Sequence, residues 1–245
     1  MGEGGARASG GRAFLTARWR DLCILSYAVD DALLRDRLAP GLELDRLRGR
    51  AFVSLVAFDF VETRVLGVAW PGLRSFPEIN LRFYVRRGDR RGVLFVREYV
   101  PSRLVSVVAR LRYNEPYRAA SMRSAVTRAG DSVRAEHSIT VGGRAHTIRV
   151  EADAATRTPR EDSDEHWFKE HRWGYGVSRR GRLLEYEVIH PVWEVRDVRR
   201  VELDVDWAAL YGPEWGVMRG REPDSAVMAV GSGVEVHPIR RRVRG

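Results

Sequence analysis

Residues 78–86 alternate without interruption, with Ile79, Leu81, Phe83 and Val85 on one side and Glu78, Asn80, Arg82 and Tyr84 on the other. A period of two belongs to a β-strand, whose successive side chains leave opposite faces of a sheet. The following stretch, 87–92, reads Arg-Gly-Asp-Arg-Arg-Gly and returns the chain into the apolar run 93–100. The two runs therefore predict an antiparallel hairpin whose apolar face needs a second layer against it.

The rest of the chain follows the same grammar. Residues 21–29 read as a strand rich in Leu, Ile and Tyr. They enter a short helix through Asp30-Asp31, with Leu34 and Leu38 a turn apart and Pro40-Gly41 as its stop. Residues 50–65 are β-rich. Pro101 ends the second hairpin strand, and Ser102 caps a helix whose Leu104, Val107, Val108 and Leu111 form one apolar stripe. Gly142-Gly143 makes a two-residue turn between strands 132–141 and 144–152, which sets Val141 opposite Arg144. A helix begins near Ser163, with Asp164 and Glu165 in its first turn and Gly174 just past its end. Strands at 183–190 and 192–205, a helical piece near 207–210 and a last strand at 226–230 complete the pattern. Many antiparallel strands with few short helices predict an α+β chain whose sheet curls into a barrel. No internal repeat or linker divides it. The expected organisation is a disordered arm over 1–12, a single domain over 13–236 and a basic tail over 237–245.

The formal net charge of +9 points at first to a polyanionic partner, but Arg240, Arg241, Arg242 and Arg244 crowd the last nine of the 245 residues and the middle is only mildly basic. An Arg-rich tail that touches nucleic acid or an acidic partner is one alternative, and a solvated terminus is the other. The sequence favours the solvated terminus and no nucleic-acid partner. Cys23 is the single cysteine, so no internal disulfide forms and a reducing, cytoplasmic setting is expected. No apolar run approaches the ~20 residues a membrane helix needs, so no membrane partner is expected.

Several motifs carry a resemblance. Arg18-Trp19-Arg20-Asp21-Leu22, the run 38–45 (Leu-Ala-Pro-Gly-Leu-Glu-Leu-Asp), Gly49-Arg50-Ala51, the run 76–85, Gly92-Val93-Leu94-Phe95 and His190-Pro191-Val192-Trp193 together resemble the YqjF-like family of bacterial proteins, over roughly residues 18–193. The resemblance implies a fold similar to that of acetoacetate decarboxylase: a curved antiparallel β-barrel with a few short peripheral helices, enclosing a small-molecule pocket. It implies no particular reaction.

Acetoacetate decarboxylase works through a Schiff base, which needs a primary amine; a guanidinium stays protonated and cannot serve. The reactive lysine of that enzyme belongs to a Pro-Lys-Lys triplet, and the counterpart here resembles Pro101-Ser102-Arg103. Lys169 is the one lysine among 42 lysines and arginines. On a helix over 164–172, Trp167, Phe168 and His171 centre the apolar face and Lys169 points about 150° away, toward water. Schiff-base decarboxylation is disfavoured on both grounds.

The polar strand face offers the better site. Glu78, Asn80, Arg82 and Tyr84 project about 6.5–7 Å apart on one side, where Arg82 suits a carboxylate and Glu78 suits proton transfer. The alternative is a plain solvent-facing strand. His137 and His146 fall on the apolar face of the 132–152 hairpin, either as lumen acid/base groups or as hydrogen-bonded core histidines. His190 lies at a strand end near the pocket mouth. Ser102 and Arg103 open a helix, either as an anion site or as an ordinary cap. Two histidines are too few for a metal, and His166 and His171 lie 140° apart on a helix, so no metal is expected. The chain lacks the G-x-S-x-G, Walker and G-x-G-x-x-G patterns, and no cofactor is expected. The functional expectation is a pocket that binds a small anionic organic molecule. The alternatives are a lyase or isomerase using a Glu/His pair there, and an Arg-tail binder of nucleic acid or an acidic partner. Whether the protein is an enzyme stays open, as does its oligomeric state.

Overall fold

The computed structural model describes residues 12–102, 116–178 and 180–241. Its strands are β1 (Leu15–Val29), β2 (Glu43–Leu44), β3 (Ala51–Val65), β4 (Phe76–Arg87), β5 (Arg90–Val100), β6 (Tyr117–Ala119), β7 (Ser121–Ala129), β8 (Ser132–Val141), β9 (Arg144–Asp153), β10 (Trp173–Val177), β11 (Leu183–Ile189), β12 (Val195–Arg196), β13 (Val198–Asp204), β14 (Ser225–Ala229), β15 (Gly233–Val236) and β16 (Arg240–Arg241). Three short α-helices, α1 (Ala32–Arg35), α2 (Asp164–Lys169) and α3 (Trp207–Tyr211), and a 3-10 helix over Pro213–Met218 accompany them. The helix expected to follow Ser102, with Arg103, lies outside the described residues.

Strands β1, β3, β4, β5, β10, β11 and β15 pair in that cyclic order and close a seven-stranded barrel. Closure needs strong local bending, and β1 supplies it: its pairing with β3 slips between Thr16 and Arg18 and again between Arg20 and Cys23, where Asp21 takes a positive φ of 52°. Such bulges increase twist and turn barrel corners. A second sheet, β13-β9-β8-β7, covers the outside of the barrel.

This arrangement separates the alternating faces of each strand. Val53, Leu55 and Ala57 of β3 and Ile79, Leu81, Phe83 and Val85 of β4 point outward and pack with Val133, Ala135, Ile139, Ile148 and Val150 of the second sheet. Phe52, Val56, Phe58 and Phe60 point inward, with Leu22, Ile24, Phe76, Tyr84 and Val93. Both faces of β3 are covered, so its sequence reads as one apolar run. On β4 the polar face is the inward one.

The hairpin β8–β9 has the expected register, Val141 opposite Arg144 and His137 opposite Ile148. Residues 237–241, the described part of the basic tail, follow the barrel wall. His237 is buried and its N–H donates to Glu187 O at 2.9 Å, and Arg240–Arg241 pair with β11. No helix among the described residues is long and apolar enough to cross a membrane.

Candidate functional site

A cavity of about 150 Å³ occupies the barrel interior. One of its walls is β4, where Glu78 and Asn80 are buried and Arg82 is half-buried. Glu98 of β5, the register partner of Asn80, adds a second acid, and Tyr117 of β6 lies beside it. Asn80 donates to Glu78 Oε1 at 2.9 Å, and Tyr117 Oη donates to Glu78 Oε2 at 3.2 Å. Burial raises the Glu78 carboxyl from 4.5 to about 7; the bonds from Asn80 and Tyr117 and the charge of Arg82 oppose this only in part. Glu78 is thus a carboxyl that exchanges its proton near neutral pH.

Helix α2 plugs one end of the barrel. Ser163 caps it as expected, its Oγ accepting from His166 N at 3.2 Å. Phe168 packs on Phe52 and Tyr84 with ring centroids 5.1 and 5.6 Å apart. Its carbonyl accepts from Arg82 Nη2 at 3.2 Å and from Tyr84 Oη at 3.4 Å. Tyr84 itself is buried beside the plug, bonded to Ser54 Oγ at 2.5 Å, and does not line the cavity.

The plug also overturns the expected position of Lys169. The residue is 2 % exposed and lines the cavity, with Nζ bonded to the Glu170 carboxylate. Two features defeat the helical projection. The helix stops at Lys169, since Glu170 has φ −101° and ψ 73°, and His171 therefore no longer belongs to its face. The last two residues of this short helix, Phe168 and Lys169, are also both buried although they leave it in different directions. The geometric objection to an amine in the pocket falls.

After the plug the chain supplies His171 and, further on, His190. Burial lowers His171 to about 4, against the pull of Asp45, so its imidazole is neutral at working pH. His190 is likewise lowered, mainly by burial, and its ring stacks on Trp193 at 3.9 Å. Its Nδ1 lies 4.0 Å from Glu170 Oε2.

The other histidine pair is elsewhere. His137 and His146 sit on the inner face of the second sheet, outside the cavity lining, and so are not lumen groups. His146 Nδ1 accepts from Asp206 N at 3.1 Å, and both ring nitrogens of His137 lack a partner among the described residues. Ser102, just past β5, does not line the cavity either. The cavity therefore assembles Glu78, Asn80, Arg82 and His190 from the expected set. It adds Glu98, Tyr117, Lys169 and His171, which no motif signalled. Among the described residues no three histidine, cysteine or carboxylate side chains are grouped to hold a metal ion.

Away from these groups the lining is mostly apolar, with Thr63 and Tyr186 as its further hydroxyl-bearing residues. The register pairs Phe60 with Phe76, Leu15 with Val65 and with Val236, and Val188 with Val236, and all six line the cavity at the end opposite the plug.

Residues 16–234 match the model of a family, DUF2071, described as an uncharacterized conserved protein. The protein YqjF of Bacillus subtilis strain 168 is 31% identical over 183 residues, 71% of this chain and 72% of that one. Among solved structures, the enduracididine biosynthesis enzyme MppR complexed with pyruvate superposes with a TM-score of 0.67 at 15% identity, over 96% of this chain and 92% of its own. An acetoacetate-decarboxylase-like enzyme from Sphingomonas wittichii RW1 gives 0.63 at 15% identity, over 98% and 97% of the two chains. Acetoacetate decarboxylase from Legionella pneumophila gives 0.64 at 13%, over 98% and 94%. At such identities the likeness is one of fold, an acetoacetate-decarboxylase-like barrel.

Proposed function

The chain belongs to the DUF2071, YqjF-like family, and from that premise we propose that its barrel binds a small organic carboxylate. One observation carries the reading: two cationic side chains, Arg82 and Lys169, share a cavity with a carboxyl, Glu78, that holds its proton up to about pH 7. Glu170 offsets the charge of Lys169. Arg82 uses Nη2 on the Phe168 carbonyl, while its buried Nε–H donor has no partner among the described residues. Buried polar atoms of this kind are costly unless something bonds them, and a carboxylate is the natural acceptor for a guanidinium. A neutral Glu78 then donates to the bound anion in place of repelling it.

Pyruvate is the first probe, because the like-folded MppR was solved with it. Titration followed by tryptophan fluorescence, with Trp19 and Trp193 in the lining, should show saturable binding. Arg82→Met and Lys169→Met should each weaken it at least tenfold. Absence of saturation, or affinity unchanged in both variants, refutes the reading.

The position of Lys169 favours a second reading, that of an enzyme. Glu170 accepts a proton from the Lys169 ammonium, and the freed Nζ adds to the carbonyl carbon of an oxo acid. The oxygen takes one proton from the added nitrogen and a second from Glu78, the C–O bond breaks, and water departs to leave an iminium at Nζ. Borohydride reduction in the presence of pyruvate, followed by mass spectrometry, distinguishes the two: an adduct at Lys169 establishes the covalent route, and an unmodified Lys169 under saturating pyruvate leaves binding alone.

A further inference from the structure

We infer that the occupant of the cavity is amphiphilic: a carboxylate carrying an aromatic ring or a comparably compact apolar body on a short link. The inference rests on the binding reading above and adds the class of ligand.

The cavity is divided along the barrel. Its charged groups gather where the plug meets β4, and the opposite end is walled mainly by the carbon of Leu15, Phe60, Val65, Phe76, Val188 and Val236, with Thr63 of β3 also in the lining. The two regions adjoin. Glu78 and Phe76 are successive inward residues of one strand, ~6.5–7 Å apart at the strand repeat. That separation matches one or two carbons between a carboxylate and a ring. A short acid such as pyruvate would satisfy Arg82 and leave the apolar end without an occupant. The whole cavity, charged and apolar parts together, measures about 150 Å³, and a cavity of roughly that size accepts benzene.

The apolar character extends to the rim. Phe14 and Leu73 line the same end. The Phe14 carbonyl accepts from Leu66 N at 2.8 Å, and the connection that carries Leu66 and Leu73 also exposes Val68 and Trp70. Leu66 is 61% and Trp70 51% exposed, an unusual amount of carbon to leave in water unless an apolar solute passes it.

The test compares probes that share a head and differ in body. Phenylpyruvate should bind ~30-fold tighter than pyruvate, the effect of burying about a ring's worth of carbon. Phenylacetate should exceed acetate similarly, and benzyl alcohol, which has the ring without the charge, should bind more weakly than phenylacetate. Val188→Phe, at the half-buried end of β11, should cut the phenylpyruvate-to-pyruvate affinity ratio at least tenfold; Leu73→Trp, on the rim, is the second variant should the first not fold. If pyruvate and phenylpyruvate bind equally, or the ratio survives in the folded variant, the inference fails and the carboxylate reading stands. If neither acid binds, the carboxylate reading fails with it.

Discussion

Replacing Glu78 with glutamine isolates the one acid whose protonation the barrel alters most clearly. The carboxyl titrates near 4.5 when exposed and about 7 in the native cavity. The folded state therefore holds the proton more tightly than the unfolded chain. Its contribution is fully present below about 4.5 and is lost as pH rises through about 7. The difference amounts to roughly 3 kcal/mol between pH 4 and pH 9, at 1.36 kcal/mol per unit. Glu78→Gln keeps the shape and can still accept from Asn80 at Oε1, but it does not titrate. Urea unfolding of both proteins at unit steps from pH 5 to pH 9 gives the difference curve directly, because the buried histidines titrate alike in both. The variant should gain on the parent steadily from pH 5 and level off above pH 8, a total gain of roughly 3 kcal/mol in unfolding free energy. A difference that stays flat over the whole range would mean that Glu78 holds its proton no more tightly in the fold than in the unfolded chain, and the electrostatic account of the site would fall with it.

The same proton links to the ligand: pyruvate affinity should rise as pH falls from 8 to 6, by up to ~10-fold per unit, and Glu78→Gln should flatten that dependence in calorimetric titrations. His137, lowered to about 4 by burial, contributes stability that is present above 6.5 and lost as pH falls through about 4. His137→Leu removes no hydrogen bond to a described residue and should resist acid unfolding better than the parent at pH 4.5 by up to roughly 3 kcal/mol, read from urea midpoints. Gly174 lies under the Tyr186 ring, where an added Cβ would come within 2.1 Å of Cζ. Gly174→Ala should therefore be destabilising, and Tyr186→Ala should relieve part of that loss; strict additivity in the double-mutant cycle would show that the ring does not press on Gly174.

Much of the barrel is legible in the chain because local chemistry sets it. The hairpin of β4 and β5, the diglycine turn between β8 and β9, and the Ser163 cap each depend on a few adjacent residues. Strands β7, β10 and β15 escape sequence reading for a different reason. Trp173, Tyr175 and Val177 of β10 alternate with Gly174 and Gly176, and glycine weakens any strand signal; here Gly174 is needed because the Tyr186 ring lies where its side chain would be.

The site divides along the same line. Glu78, Asn80 and Arg82 share a face by periodicity alone, although periodicity could not say whether that face met water or a lumen. Closure of the barrel decides it, since the apolar face of β4 turns outward onto a second sheet and the polar face is left as the inner wall. Lys169 shows how projection from helical angles fails: 100° per residue holds only while the helix lasts, and the chain leaves it at Glu170. An amine that a surface helix would expose to water is enclosed because the helix serves as a stopper. In a small plug, depth of insertion counts for more than facial angle. A lone lysine at the end of such a plug is consequently a better candidate for a cavity group than its amphipathic pattern suggests.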